Sequence, residues 1–369
     1  KIAKKLNLKV AGLTTQGSFL KRLGISHRAE ILAKNLRFSK KADIYYRLKR
    51  LIDKNFMGEL FKVMFITKKN IIILLIFLFA LSANAQQDPQ YTQYMYNMNV
   101  INPAYAGSVE GIGIGMLYRN QWEGLEGAPT TGTINIHSSI GKNVGLGVSV
   151  ISDDIGPVKE TNIYADFSYT LNLSNSNNLA FGLKAGFTTH DIGLIGLDII
   201  HPNDPFFANN INETTPNIGA GIYFYNPNQY YVSVSMPNIL NSVHLDADEY
   251  NIGSETQHLF AAAGYIYDIS EDFKLKPHVF LKYAFDSPAS IDINANLFMY
   301  DLVEVGIGYR LDDAITAMIN FQVSPSVRIG YAYDNTQSEL NYYTKSSHEI
   351  FINFDISFRT KVSRSPRYF

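Results

Sequence analysis

Few side chains in this chain are placed for reactivity. The eight histidines are scattered. His348-Glu349 has no second histidine four residues on, so the zinc-protease pattern is missing, and His348 reads as a hydrogen bonder at a strand end. Gly111, Gly113 and Gly115 imitate part of a dinucleotide-binding loop but sit in an alternating segment with no helix behind it. The acidic pairs Asp153-Asp154 and Asp312-Asp313 lie in turn-like strings, and they read as solvated turns rather than calcium ligands. No nucleophile is spaced with a base. The chain has no cysteine, which excludes disulfides and thiolate metal or redox sites. No enzyme activity, cofactor or metal is expected. Two strings read instead as binding chemistry. Asn102, Pro103, Tyr105 and Gly107 lie in a turn-rich run whose proline and glycine fix the chain path. Arg119, Asn120, Gln121 and Trp122 unite an arginine with the sole tryptophan, two residue types enriched where proteins dock.

The chain that must position these residues changes character along its length. Residues 1–63 carry 16 Lys+Arg against 4 Asp+Glu, a net of +12, whereas residues 86–369 carry 14 against 29, a net of −15. Between them, residues 64–85 read as an export signal. Lys68 and Lys69 give the positive start, Ile71 to Leu81 the apolar run, and Ala83-Asn84-Ala85 a cleavage site leaving Gln86 first. Eleven apolar residues fall short of the about 20 that span a bilayer as a helix, so a cleaved signal is expected over a retained anchor. No cysteine occurs after Ala85, so lipoprotein anchoring is excluded. The basic segment 1–63 has helical spacing at 17–38 and 44–58 and reads as a solvated surface; it lacks clustered aromatics and any nucleic-acid-binding module, so nucleic acid is not an expected partner.

After Gln86 the apolar period becomes two. Ile163, Ala165, Phe167, Tyr169 and Leu171 alternate with Tyr164, Asp166, Ser168 and Thr170; Ile350, Ile352, Phe354 and Ile356 alternate with Phe351, Asn353 and Asp355. Fourteen such segments, separated by turn signals, run from residue 112 to 358, with extended loops expected at 192–214 and 237–256. Two architectures fit. A soluble sandwich hides its apolar face inside, whereas a transmembrane antiparallel β-barrel of about 14 strands turns it to lipid. The barrel is favoured by strand length, by small and polar residues (many of them glycine) on the other face, and by aromatics at strand ends: Tyr118, Tyr169, Tyr265, Tyr267, Tyr283, Tyr309, Tyr331 and Tyr333. Closure also leaves no unpaired edge in lipid. The expected organisation is a basic helical extension at 1–63, a signal at 64–85, a plug or docking segment at 86–109, a barrel at 110–358 and a tail at 359–369. The 102–107 string then either docks a partner or plugs the barrel mouth. Arg119 is either part of an interface anchor or an inward residue paired with a lumenal acid.

Two stretches also resemble known families. Thr14-Thr15-Gln16-Gly17-Ser18-Phe19-Leu20, Leu23 to Glu30 and Met57 to Val63 resemble the C-terminal tail of a family of SAM-dependent methyltransferases related to a mitochondrial complex I assembly factor. The glycine-rich cofactor loop of that family has no counterpart here, so no activity is implied, and residues 1–63 are expected to be a joined remnant unrelated to the exported part. The exported part is different. Gln87-Asp88-Pro89-Gln90-Tyr91-Thr92-Gln93-Tyr94, Ile101 to Ser108, Tyr118-Arg119-Asn120-Gln121-Trp122, Ser152 to Pro157, Arg328 to Asp334 and the closing Ser365 to Phe369 resemble the PorP/SprF family of the type IX secretion system of Bacteroidetes. That resemblance implies an outer-membrane barrel reached by Sec export and working in secretion or gliding motility. Its implied partners are other type IX components, a secreted adhesin or cargo C-terminal domain, and outer-membrane lipid. An outer-membrane transport channel remains the alternative.

Overall fold

Alternation closes into a barrel here because each strand has one face for lipid and one for the lumen. The computed structural model describes residues 89–357, apart from 110, 175, 196, 198–206, 241–242, 248–249, 255 and 286. The segments read as basic extension, signal and tail lie outside the described residues. The strands are β1 (Ile112–Asn120), β2 (Thr130–Ser139), β3 (Val144–Ile155), β4 (Val158–Asn172), β5 (Asn178–Ile192), β6 (Ile211–Asn226), β7 (Tyr230–Met236), β8 (Val243–Ala247), β9 (Tyr250–Ser254), β10 (His258–Tyr265), β11 (Tyr267–Asp268), β12 (Phe273–Ala284), β13 (Ser290–Met299), β14 (Val303–Arg310), β15 (Ala314–Ser324), β16 (Val327–Thr336) and β17 (Ser346–Ile356). Each neighbour in the ring is antiparallel. β1 pairs with both β2 and β17, and β10 pairs with β12, so fourteen strands close without an edge. β8 and β9 form a separate hairpin, and β11 is a two-residue addition to β12.

The side-chain faces divide as the period requires. On β4, Ile163, Phe167, Tyr169 and Leu171 are exposed, while Tyr164, Asp166 and Ser168 are buried. Phe181, Leu183 and Phe187 on β5 and Ile218 and Ile222 on β6 continue this apolar outer band. In water so large an apolar surface is unstable; in lipid it is the required one. The eight strand-end tyrosines all project outward. Tyr169, Tyr265 and Tyr267 lie toward one end and Tyr118, Tyr283, Tyr309, Tyr331 and Tyr333 toward the other, giving two girdles. Among the described residues no helix is long and apolar enough to cross a membrane.

Three expectations need correction. β6 begins at Ile211, inside the stretch expected to be loop, and the second loop contains the β8–β9 hairpin. Asp153 and Asp154 are not in a turn: β3 continues to Ile155, which pairs with Val158, so the hairpin is reduced to Gly156 and Pro157. Asp153 faces inward, is buried, and accepts a 2.5 Å hydrogen bond from the Thr131 hydroxyl. For β3 and β6 the reason is shared. The strands from β3 to β6 run past the apolar band, and there their outward residues turn polar (Asp154, Lys159, Thr161, Asp191, Asn212), which imitates a turn in sequence. Asp312 does sit in a turn, between β14 and β15, at φ +57.

The two ends of the barrel differ. At the end where β1 begins, the connections are 140–143, 173–177, 227–229, 266–272 (which carries β11), 300–302 and 325–326, and each is shorter than any of the four long ones. The long connections, 121–129, 193–210, 237–257 and 337–345, are all at the other end.

Candidate functional site

The lumen is filled by the protein's own chain. Every residue from Tyr91 to Ala106 is buried. This segment has little regular structure: a 3-10 turn at Tyr94–Tyr96, one helical turn at Met98–Ile101 and a second 3-10 turn at Pro103–Tyr105. The side chain of Asn102 caps the last of these by accepting from the Ala104 N–H at 2.9 Å, with Pro103 at the first position, where no N–H is needed. The sequence string around Pro103 thus sets a local path, and the barrel wall supplies the rest.

One side of the wall receives the segment by shape. A Cβ at Gly182 on β5 would lie 2.1 Å from Ala104 N, at Gly145 on β3 2.2 Å from Ala106 O, and at Gly221 on β6 2.0 Å from Asn102 Oδ1. Backbone meets backbone at the first two. Small hydroxyls fill the gaps: Ser168 donates to Ala106 O at 2.5 Å and Ser235 to Ile101 O at 2.9 Å. Asn102, wholly buried, donates to Ser233 Oγ at 2.8 Å and to Ile222 O at 3.0 Å. Tyr105 stands edge-on to Tyr223 and His137, with ring centroids 5.4 and 5.3 Å apart.

The other side holds it by charge. Inward parity puts Arg119 on β1 directly across from Glu349 on β17, and Arg310 on β14 across from Asp292 on β13. Arg119 Nη2 lies 2.8 Å from Asp334 Oδ2, and its Nη1 3.2 Å from Glu349 Oε2. Arg310 grips Asp292 with two contacts of 2.9 and 3.0 Å. The plug enters this network through Thr92 and Gln93. Their backbone N–H groups donate to the Glu349 carboxylate at 2.8 and 2.7 Å, and the Thr92 hydroxyl donates to Asp334 at 2.7 Å. Deeper in, Tyr96 donates to Glu304 Oε1 at 2.5 Å, and Lys276 Nζ donates to both Tyr96 Oη at 2.9 Å and Glu304 Oε2 at 2.8 Å. Tyr96 also stacks on Phe351 and Tyr94 on Phe280.

Among the described residues, the buried cations are Arg119, Lys184, Lys276, Lys282, Arg310 and Arg328, and the buried anions are Asp153, Asp166, Asp292, Glu304, Asp334 and Glu349. Six balance six, so the formal charges of these buried side chains sum to zero. No group of three acidic, histidine or cysteine side chains suited to a metal occurs among the described residues.

The residues singled out from sequence fall into two places. Asn102, Pro103 and Tyr105 are buried in the lumen, and Gly107, at φ +74, leaves it beside Gly145. Arg119 is also inside, 1% exposed, on the charged side. Asn120, Gln121 and Trp122 are half-buried on the rim with the long connections. There Trp122 takes φ +53 and donates its N–H to Ser347 Oγ at 3.0 Å. Sequence reasoning did not single out Thr92, Gln93, Tyr96, Lys276, Asp292, Glu304, Arg310, Asp334 or Glu349 as site residues. For the wall residues a signal existed: a charge at an inward position of a strand whose other face is apolar. His348 bonds the Tyr331 hydroxyl at 2.6 Å and Glu123 Oε2 at 2.8 Å, on the outer wall.

A closed fourteen-stranded barrel with an apolar outside and a filled polar lumen defines an outer-membrane protein. Several solved structures are similar to the chain at low identity. The CymD monoaromatic hydrocarbon channel is 13% identical, with 70% of this chain and 93% of that one covered, at a TM-score of 0.46. The Ralstonia pickettii toluene transporter TbuX is 9% identical, with 75% and 100% covered, also at 0.46. The Acinetobacter baumannii outer membrane protein Omp33 is 11% identical, with 67% and 98% covered, at 0.39. No curated protein matches the chain. The family model of the type IX secretion system membrane protein PorP/SprF matches residues 83–354, and the chain belongs to this family.

Proposed function

We propose that this protein is a non-enzymatic, plugged barrel of the type IX secretion and gliding machinery that supports export or surface attachment of a cargo adhesin. The observation that carries the reading is the lumen filled from Tyr91 to Ala106, which suits a docking and scaffolding part better than a conduit. Asn120, Gln121 and Trp122, on the rim, are the residues we assign to partner docking. Asn102, Pro103, Tyr105, Gly107 and Arg119 contribute by fixing the path of the plug. The other type IX components and the cargo adhesin or its C-terminal domain are the proposed partners, with lipid around the apolar band.

Deleting the gene is expected to abolish surface display of one adhesin or cargo group, read by surface proteolysis and mass spectrometry of intact cells. Unchanged display of every cargo in a strain also lacking its paralogues would sink the reading. The transport alternative rests on the fourteen-stranded wall, and it requires the plug to leave. Purified protein in planar bilayers is expected to be silent; stable open conductance favours the channel.

A further inference from the structure

The plug has a direction. At its C-terminal end, Ala106 and Gly107 lie against Gly145, Ser168 and Ser138, and the chain enters β1 at the end with the short connections. At its other end, Thr92 is bound to Arg119, Asp334 and Glu349, near the opposite ends of β1, β16 and β17. Gln90 reaches Ser290, the first residue of β13, with Nε2 3.1 Å from Oγ. Pro89 lines a small cavity with Pro237 and Asn238 of the long connection after β7. The chain therefore comes in at one rim and leaves at the other.

Outer-membrane barrels keep short turns in the periplasm and long loops outside. We infer that Pro89 lies at the cell surface, so that the outer end of the plug is displayed on the long-connection rim. This rests on the outer-membrane assignment of the barrel.

The chain has no cysteine, so single thiols report cleanly. Three variants decide the matter: a Gly-Ser-Cys insertion directly before Pro89, Glu126→Cys on the long β1–β2 connection, and Asn228→Cys on the short β6–β7 turn. Each is treated with a membrane-impermeant biotin maleimide, on intact cells and after permeabilisation. The insertion variant and Glu126→Cys are expected to label on intact cells, and Asn228→Cys only after permeabilisation. Labelling of the insertion variant only after permeabilisation, or in neither state, overturns the inference. If Glu126→Cys and Asn228→Cys exchange behaviour, the orientation itself is wrong, and the surface position of Pro89 falls with it.

Discussion

The two sides of the lumen hold the same segment in opposite ways. From β3 to β7 the inward positions that touch it include Gly145, Ser168, Gly182 and Ser235, which meet the plug backbone, and Gly221 and Ser233, which meet the Asn102 side chain. From β12 round to β1 the inward positions include Lys276, Glu304, Arg310, Asp334, Glu349 and Arg119, and these charged side chains hold the plug at Thr92, Gln93 and Tyr96, beside the stacking of Tyr94 and Tyr96 on Phe280 and Phe351. The first side is not free of charge: Lys184 faces Asp166 at 3.5 Å and donates to Val100 O at 3.0 Å. The contrast locates where each side is vulnerable. A shape contact is lost by adding atoms, whereas a buried ion network is lost by removing one partner and stranding the rest.

Breaking the charged side is expected to have the largest effect. Arg119→Ala removes the cation beside Glu349 and one of the two beside Asp334, and should cost about 3–5 kcal/mol, measured by urea unfolding in detergent micelles. A loss under about 1 kcal/mol would show that this side contributes no more than an exposed pair does. On the shape side, Gly182→Val drives its side chain into the backbone at Ala104 and should cost about 1–3 kcal/mol. It should also open the lumen, read as new conductance in planar bilayers. Gly132→Ala, whose Cβ would meet nothing within 4 Å, is the matched control and should stay closed. Equal behaviour of the two variants would refute the close-approach account.

Thr92→Val tests the joint between plug and network. It keeps the shape, removes the hydroxyl bonded to Asp334 and Arg119, and should cost about 1–3 kcal/mol, while Thr92→Ser stays near the parent. The smallest effect on stability is expected on the rim. Trp122→Ala should change unfolding by no more than about 0.5 kcal/mol yet reduce cargo display on whole cells. A large stability loss with normal display would assign Trp122 to folding and remove it from docking.

Which way each side chain points was legible in the order of residues. A period of two leaves one apolar and one polar set, and a slip of one residue would exchange them, so alternation marked the strands, while strand length and the aromatics at strand ends turned the apolar set to lipid. The local path at Asn102-Pro103 was legible too, because capping and the proline ring act within a few residues. The ends of β3 and β6 were misread, because strands leaving the membrane lose their apolar outer residues and look like loop. Which inward residues meet was settled only by the folded ring. Thr92 and Glu349 are 257 positions apart, and Tyr96 and Glu304 are 208 apart. Their encounter depends on the register of every hairpin between them and on closure of β1 against β17. The glycine gaps at 145, 182 and 221 likewise have no partner in their own strands; they leave room for a segment that the chain threads through the ring.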